Sequence, residues 1–444
     1  MKRYKKYKDS GIEWVGEIPD HWEIKRLKYL AKVNSSKKNF DLENNSETEV
    51  VFLPMEKVSK HGTIDQDLRK KSNEVSTGFT YFERNDIIVA KITPCFENGK
   101  GAFLENLETE FGFGSTEFHV LRASNKINKK FLFYQTKTDR FMNIGEAFMI
   151  GSAGQKRVPL SFVESFIIGI PQLEEQIAVA NYLDEKTIQI DKLISNKQKL
   201  IDLLREECTA IINQAVTKDI DPNIKLKPSG IEWLGEIPEH WEVKKLKYVA
   251  TIQSSNVDKK TNEEEKSILL CNYIDVYKNE FIDDSISFME ATATEKEIEK
   301  FILNKGDVLI TKDSETPDDI ANPAYVVKDF DNVICGYHLA QIRANQIELH
   351  GEYLFRLFQS RQFNTHFEVS ANGVTRFGLP LDSIADVFVP LPSKEEQLSI
   401  TEYILKETQK ISNTIVKIEK EIKLLQEYRI ALISEVVIGK IKVV

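Results

Sequence analysis

The chain has 444 residues, of which 41% are hydrophobic and 29% are charged, and its formal net charge is -9. This length exceeds one ordinary hydrophobic core and predicts two or three globular domains, while the charge lowers the expectation of a free-standing nucleic-acid binder. No apolar run approaches the roughly 18 to 20 residues of a membrane span, no signal-peptide core follows the N-terminus, and the cysteines form no CxxC pair. We therefore expect a cytoplasmic protein with no membrane partner, no structural zinc and no disulfide framework.

A segment near the N-terminus recurs in the middle of the chain. Residues 10–29 read SGIEWVGEIPDHWEIKRLKY and residues 229–248 read SGIEWLGEIPEHWEVKKLKY, with sixteen of twenty positions identical at an offset of 219. IPQLEEQ (170–176) recurs as LPSKEEQ (391–397) at an offset of 221. A repeat of this length is far longer than a solenoid or propeller unit, so it indicates a duplicated domain.

Fainter matches lie between these motifs. RNDIIVAKIT (84–93) and NKGDVLITKD (304–313) both predict a turn leading into a buried β-strand. The four residues that begin at Gly154 match the four that begin at Gly373. By contrast, residues 34–80 and 253–300 share almost nothing. This divergence predicts a kept scaffold with changed reading surfaces, although simple loop drift would produce the same pattern.

Each copy ends in a long helical pattern with apolar residues at alternating steps of four and three. The seam positions are Ile190, Ile194, Lys197, Ile201, Leu204, Cys208, Ile211 and Ala215, then Ile411, Ile415, Ile418, Ile422, Leu425, Arg429, Leu432 and Val436. This spacing is typical of a coiled coil, although an amphipathic helix packed on its own domain is the alternative. Matched length and register favour pairing of the two helices with each other. Lys197 and Arg429 interrupt the seam and could fix its register.

The geometry of such helices predicts a spacer. A helix of about 30 residues spans roughly 45 Å, and DNA half-sites on one face recur about every 34 Å. We predict an α+β protein in which two duplicated mixed α/β domains are joined by a pair of long antiparallel coiled-coil helices, with a pseudo-two-fold axis. The predicted boundaries are 1–183 and 221–404 for the two domains, and 184–220 and 405–444 for the helices.

The motifs GIEWxGEIPxHW and P-x-x-EEQ, each present twice in the same order, resemble those of the specificity subunits of type I restriction-modification systems. The resemblance implies two target-recognition domains, each reading one half of a bipartite, non-palindromic site in double-stranded DNA. It also implies that the helices set the gap between the halves and dock two methyltransferase (M) subunits, which restriction/translocase (R) subunits join. Family members direct these subunits without catalysing methylation or cleavage. Related methylating restriction systems outside type I share this architecture.

Base reading requires Arg, Lys, Asn, Gln, Ser or Thr on loops, with cations nearby for phosphates. In the first domain these features fall at a strand end and on the loop from Gly151 to Arg157. The predicted DNA-binding residues are Lys91, Thr93, Ser152, Gln155, Lys156 and Arg157 there, and Lys312, Asp313, Asn372, Thr375 and Arg376 in the second domain. Secondary candidates are Ser115, Thr116, Tyr337 and His338. A solvated polar turn is the alternative interpretation for each of them.

Several motifs that resemble catalytic or cofactor sites have structural explanations. Asn322-Pro323-Ala324-Tyr325 resembles the Asn-Pro-Pro-Tyr motif of adenine methyltransferases, but Ala replaces the second Pro and a turn opening a strand explains it. The FGFG segment at 111–114 is followed by no helix pattern, and no GxxxxGK[ST] phosphate loop is present. We interpret Asp86 and Asp307 as framework residues. No cofactor and no metal are expected.

Three classes of function are compatible with the sequence. A specificity subunit explains the duplication, the shared framework and the helices. An independent methyltransferase or nuclease would need a cofactor loop, which the sequence lacks. A structural adaptor that holds two proteins at a fixed distance would use the same helices, and salt-sensitive DNA binding would distinguish it.

Overall fold

In the computed structural model, the described residues are 2–35, 46–152 and 154–443. The chain forms two compact units: unit 1 comprises Met1–Lys197 and Glu419–Val444, and unit 2 comprises Gln198–Ile418. Each unit thus contains the globular part of one repeat and a half of each long helix. No helix among the described residues combines the length and the apolar character needed to cross a bilayer.

The two long helices are Leu173–Lys218, the central helix, and Lys394–Val437, the C-terminal helix. Both begin eleven residues before the predicted starts at 184 and 405, and both boundaries are corrected accordingly. The physical reason is that their first turns belong to the globular cores, since Val179, Ala180 and Leu183 are buried in unit 1. The seam continues from these turns, so no break separates domain from spacer.

The long helices pair in each unit, and their course is antiparallel. In unit 1, Arg429 Nε donates to Asp191 Oδ1 at 3.0 Å and Lys197 Nζ donates to Glu421 Oε2 at 2.5 Å. Residue numbers therefore rise along one helix as they fall along its partner. In unit 2 the two helices share one hydrophobic core through Ile212, Ala215, Val216, Ile400 and Ile404. The predicted seam is confirmed, and each cation that interrupts it is paired with a carboxylate on the facing helix.

Unit 1 contains, among its described residues, two four-stranded sheets and two strand pairs. The first sheet has the order Arg69–Lys71, Glu49–Leu53, Phe111–Gly114, Thr80–Glu83, with its middle pair parallel. The second has the antiparallel order Ala31–Val33, Phe118–Ala123, Ile87–Ala90, Gly101–Phe103. The strand pairs are Tyr7–Asp9 with Glu17–Pro19 and Glu23–Arg26 with Ile167–Ile170. Its shorter helices are Ser72–Val75, Lys129–Gln135, Asp139–Ala147 and Leu160–Ser165.

Unit 2 follows the same chain order with altered sheets. Its largest sheet has the order Ala250–Ser254, Leu339–Ala344, Asp307–Thr311, Pro323–Val326, Phe281–Ile282. A first three-stranded sheet has the order Met289–Ala293, Lys266–Cys271, Val333–Cys335. A second three-stranded sheet has the order Asp313–Ser314, Phe377–Gly378, Asn372–Gly373. The strand pairs are Leu226–Pro228 with Glu236–Pro238 and Glu242–Lys245 with Phe388–Leu391. Its shorter helices are Tyr273–Lys278, Glu295–Phe301, Gly351–Gln359, Arg361–Ser370 and Leu381–Ala385.

A buried carboxylate lies at the start of one central strand in each unit, directly before Ile87 in unit 1 and as the first strand residue in unit 2. Asp86 receives hydrogen bonds from Arg122 Nε at 2.8 Å and Nη2 at 2.7 Å. In unit 2, Asp307 receives both bonds from Arg343 at 2.8 Å, and it is 1% exposed. Both arginines lie on the neighbouring antiparallel strand. The geometry agrees with the interpretation of both aspartates as framework residues.

Candidate nucleic-acid interface

Within each unit, the motif that ends in His-Trp contacts the Glu-Glu-Gln motif at the start of the long helix. In unit 1, Glu175 in the first turn of the central helix lies 2.8 Å from His21 Nε2 and accepts a hydrogen bond from Trp22 Nε1 at 3.2 Å. The corresponding contacts of unit 2, at 2.5 and 3.4 Å, involve His240, Trp241 and Glu396. The motifs are therefore scaffold, which fixes the N-terminal element of each unit against the start of its long helix.

The scaffold contact also bears on metal binding. Among the described residues, Asp219, His240 and Glu396 form one group of metal-ligand type, with ligand atoms within 4.8 Å of one another. The histidine–glutamate contact recurs in unit 1 as His21 with Glu175. Because the contact is repeated in both units, we attribute the group of Asp219, His240 and Glu396 to the scaffold rather than to a metal site.

The candidate DNA-binding residues of unit 1 lie far apart in sequence but converge at one strand end. Lys91 accepts a hydrogen bond on its backbone oxygen from Val158 N at 2.8 Å. Thr93 Oγ1 accepts one from Lys156 N at 3.1 Å, so this hydroxyl is engaged in holding the loop. The side chains of Ser152, Gln155, Lys156 and Arg157 are exposed. Ala153, in the same loop, and residues 36–45 of the variable segment lie outside the described residues.

The same convergence occurs in unit 2. Lys312 accepts a hydrogen bond on its backbone oxygen from Leu379 N at 2.7 Å, and Asp313 pairs in register with Gly378. Asn372 pairs with Gly378 from the other side. Asn372, in the strand Asn372–Gly373, is exposed, and so are Thr375 and Arg376 in the loop that follows it.

The predicted correspondence between Gly154 and Gly373 is wrong by three residues. Gly151 has φ +136°, and a Cβ there would lie 2.8 Å from Gln155 O. Gly373 has φ +156°, and its Cβ would lie 2.0 Å from Arg376 O. These two positions both close a hairpin that admits only glycine, so Gly151 is the counterpart of Gly373. The error arose because the loop is one residue shorter in unit 2, a deletion that the shared Gly and Arg of the two four-residue segments concealed.

Glu117, which was not among the sequence candidates, holds the arginine of the unit 1 loop. Its carboxylate receives hydrogen bonds from Arg157 Nε at 2.9 and 3.1 Å and from Nη2 at 2.8 Å. These bonds lower the pKa of Glu117 and raise that of Arg157. The position could have been found from the repeat, because it aligns with His338 at the offset of 221 that relates the EEQ motifs.

The backbone confirms that His338 is the counterpart of Glu117. Lys91 N donates to Glu117 O at 2.9 Å, and Lys312 N donates to His338 O at 3.0 Å. His338 Nδ1 lies 2.6 Å from Asp313 Oδ2 and 3.4 Å from Arg376 Nη2. The strand-end position thus contacts a loop arginine in both units, with a carboxylate in one and an imidazole in the other.

A cavity of about 780 Å³ adjoins the unit 2 loop. Its lining residues are Tyr273, Asp313, Ser314, Glu315, Thr316, Asp319, Thr375 and Arg376. Three carboxylates face one guanidinium, so the local charge disfavours phosphate, whereas carboxylates accept hydrogen bonds from the amino group of cytosine. Tyr273 and Glu315 were missed because no motif or repeat match marks them.

The resemblances to enzyme motifs have structural explanations. The FGFG segment is a strand, Phe111–Gly114, and a Cβ at Gly112 would lie 2.6 Å from the Phe82 ring and 2.7 Å from Val51 O. Its glycines therefore serve close packing. Asn322 Nδ2 donates to Asp319 Oδ1 at 3.0 Å in the turn before the strand Pro323–Val326. Both observations agree with the interpretation of these segments as framework.

Comparison with known proteins identifies the family. The family model described as type I restriction modification DNA specificity domain matches residues 19–203 and 238–424. The EcoAI specificity subunit of Escherichia coli is 42% identical over 163 residues, 36% of this chain and 27% of that protein; the EcoEI specificity subunit is 38% identical over 180 residues, 40% and 30%. These matches therefore span less than a third of those relatives.

Other relatives are similar over nearly the whole chain. The MjaVIII specificity subunit of Methanocaldococcus jannaschii is 23% identical over 432 residues, 96% of this chain and 94% of that protein. A chain solved in work on complex assembly and conformational transition of the type I R-M system has a TM-score of 0.74 at 16% identity, covering 96% of this chain and 99% of that one. The HsdS subunit from Thermoanaerobacter tengcongensis has a TM-score of 0.54 at 16% identity, covering 96% and 98%. The two matched domains and the shared fold show that this chain belongs to the type I restriction modification DNA specificity family.

Proposed function

We propose that this chain is the sequence-reading subunit of a type I restriction-modification complex and that each unit recognises one half of a bipartite DNA site. One observation carries the proposal. The two units share their scaffold contacts but present different loops, with Arg157 held by a carboxylate in unit 1 and an acidic cavity beside Arg376 in unit 2. Different donors and acceptors select different bases, so the two half-sites differ in sequence.

Within this proposal the converged loops read bases and phosphates. Lys91, Lys156 and Arg157 supply cations in unit 1, with Ser152 and Gln155 as polar neighbours and Thr93 holding the loop. In unit 2, Asn372, Thr375 and Arg376 flank the cavity, while Lys312 Nζ donates to Ser254 Oγ at 2.8 Å and lies 5.4 Å from the centre of the Tyr337 ring. Asp313 orients His338.

The chain's role in the complex is to position other subunits, and it performs no catalysis itself. Two methyltransferase subunits dock on it, and restriction/translocase subunits join them. The target adenine is flipped into a methyltransferase pocket, which supplies the catalytic groups and the methyl donor. The relatives named as specificity subunits support this assignment, and each reading unit contains a part of both long helices.

The test is a genome-wide map of adenine methylation in the host with and without this gene. The expected result is the loss of one split motif on deletion. Exchange of residues 1–183 for those of a homologue should then change only one half of that motif, and a change in both halves would contradict one-unit-one-half-site reading. Removal of one heptad from each long helix should alter the gap and leave both half-sites unchanged. An unchanged methylation map, together with salt-insensitive association with DNA, would favour the adaptor function.

A further inference from the structure

Among the described residues, the guanidinium of Arg157 has two partners, the Glu117 carboxylate and the backbone oxygen of Gln155. Glu117 receives bonds from Nε and Nη2, and Gln155 O receives one from Nη1 at 3.3 Å. A guanidinium carries five N–H groups, so one N–H on Nη1 and one on Nη2 have no partner among the described residues. Two such donors are what the O6 and N7 acceptors of guanine require in the major groove.

The two side chains of this pair differ in exposure. The Glu117 side chain is 21% exposed, whereas the Arg157 side chain is 45% exposed. The carboxylate thus lies on the protein side of the pair and the guanidinium on the solvent side. Exposed ion pairs contribute little to stability, so stabilising the fold is a weak reason for this arrangement. A fixed guanidinium loses less rotamer freedom when it binds a base, which favours recognition.

The loop brings the arginine to the same place as the other candidate residues. Its backbone is fixed to the strand end through Thr93 and Lys91, and Lys156 is an exposed neighbour that can bind phosphate. In unit 2 the equivalent strand-end residue, His338, again contacts a loop arginine. The strand-end position therefore lies beside a loop arginine in both units, and in unit 1 it holds that arginine through hydrogen bonds from Nε and Nη2.

We infer that Arg157 reads a guanine in the half-site recognised by unit 1, and that Glu117 is a positioning residue that aims it. This inference rests on the proposed function and adds a base identity and a residue role to it. Specific bidentate contacts of this type discriminate against a wrong base by about 5- to 150-fold in affinity.

The experiment measures DNA binding by the full chain in complex with its methyltransferase subunits. The probes carry the mapped split motif, with each guanine of the unit 1 half-site replaced in turn by 7-deazaguanine, which lacks the N7 acceptor, or by a G·C to A·T exchange. The wild-type complex should lose affinity by about 5- to 150-fold on the exchange at one guanine, with a smaller loss for 7-deazaguanine there.

Three variants then assign that loss. R157A should bind the intact and exchanged probes at that guanine equally, while its discrimination at all other positions is kept. E117Q should reduce the loss at the same guanine only. R84A is the matched control, because Arg84 pairs with Glu110 at 3.1 Å at the opposite end of the strand Ile87–Ala90, and it should discriminate as the wild type does.

The outcomes separate the inference from the proposed function. If the wild-type complex recognises no split motif, the proposed function is wrong and the inference falls with it. If the wild type is specific but the unit 1 half-site contains no guanine on either strand, or if R157A keeps the guanine discrimination, only the inference is overturned. If R157A fails to bind any probe, the E117Q variant provides the test. Discrimination at that guanine equal to the wild type in E117Q would overturn the inference.

Discussion

The ion pair of Asp307 and Arg343 provides a quantitative test of the framework. Asp307 is 1% exposed, and its carboxylate also accepts hydrogen bonds from Gln341 Nε2 at 2.7 Å and Asn304 N at 2.9 Å. Replacing Arg343 by Met leaves this buried charge without its countercharge. Breaking a fully buried pair costs about 3–5 kcal/mol, and a charged hydrogen bond contributes about 1.5–3 kcal/mol. Because the Arg343 side chain is 34% exposed, water replaces part of the lost interaction, and we expect a loss of about 2–4 kcal/mol.

The loss should be visible both globally and locally. For a unit of about 220 residues, it corresponds to a decrease of about 4–16 °C in the melting temperature of unit 2. Hydrogen exchange measured by mass spectrometry should show faster exchange in the strand Leu339–Ala344, with the strand Phe118–Ala123 of unit 1 as an internal reference. The double variant D307N/R343M should lose less stability than the two single variants together, because it leaves no unpaired charge.

The control is the exposed pair of Lys328 and Asp284, whose side chains are 45% and 73% exposed. Its removal should change stability by about 0–1 kcal/mol. A loss of under 1 kcal/mol in R343M, equal to that of the control, would refute the argument that this carboxylate depends on its arginine. Additive effects in the double variant would refute it as well.

Three further predictions concern single residues. Burial lowers the pKa of His119 below its ordinary value of 6.5, so the unfolded state binds more protons between the folded-state pKa and 6.5. Unit 1 should therefore lose stability as pH falls through that window. The H119Q variant should flatten the dependence of unfolding stability on pH, measured by urea unfolding. An unchanged pH dependence in H119Q would refute the assignment of this effect to His119. G373A should weaken recognition of the unit 2 half-site at least 10-fold in the binding assay, because its Cβ would collide with backbone, while unit 1 recognition stays intact. E396A removes the acceptor of Trp241 and should lower unfolding stability by about 1–2 kcal/mol, measured by urea titration, and a neutral result would contradict its scaffold role.

The duplicated architecture could be predicted from the amino-acid sequence alone. Internal identity required no structure to detect, and the seam was predictable because helical periodicity is a local property of the chain. Even so, the helix starts were placed eleven residues too late, since the first turns pack into the domains and periodicity does not distinguish core contacts from helix-pair contacts.

The grouping of residues at the loops depends on long-range packing and could not be predicted from the sequence. Hydrogen bonds at the strand ends join segments more than sixty residues apart, Lys91 with Val158 in unit 1 and Lys312 with Leu379 in unit 2. No local sequence pattern encodes such a pairing. The partner of Arg157 is a glutamate forty residues away that was not among the sequence candidates, because no local pattern links it to the loop. Base-reading geometry depends on which N–H groups a neighbour already occupies, and that is a property of packing rather than of residue type.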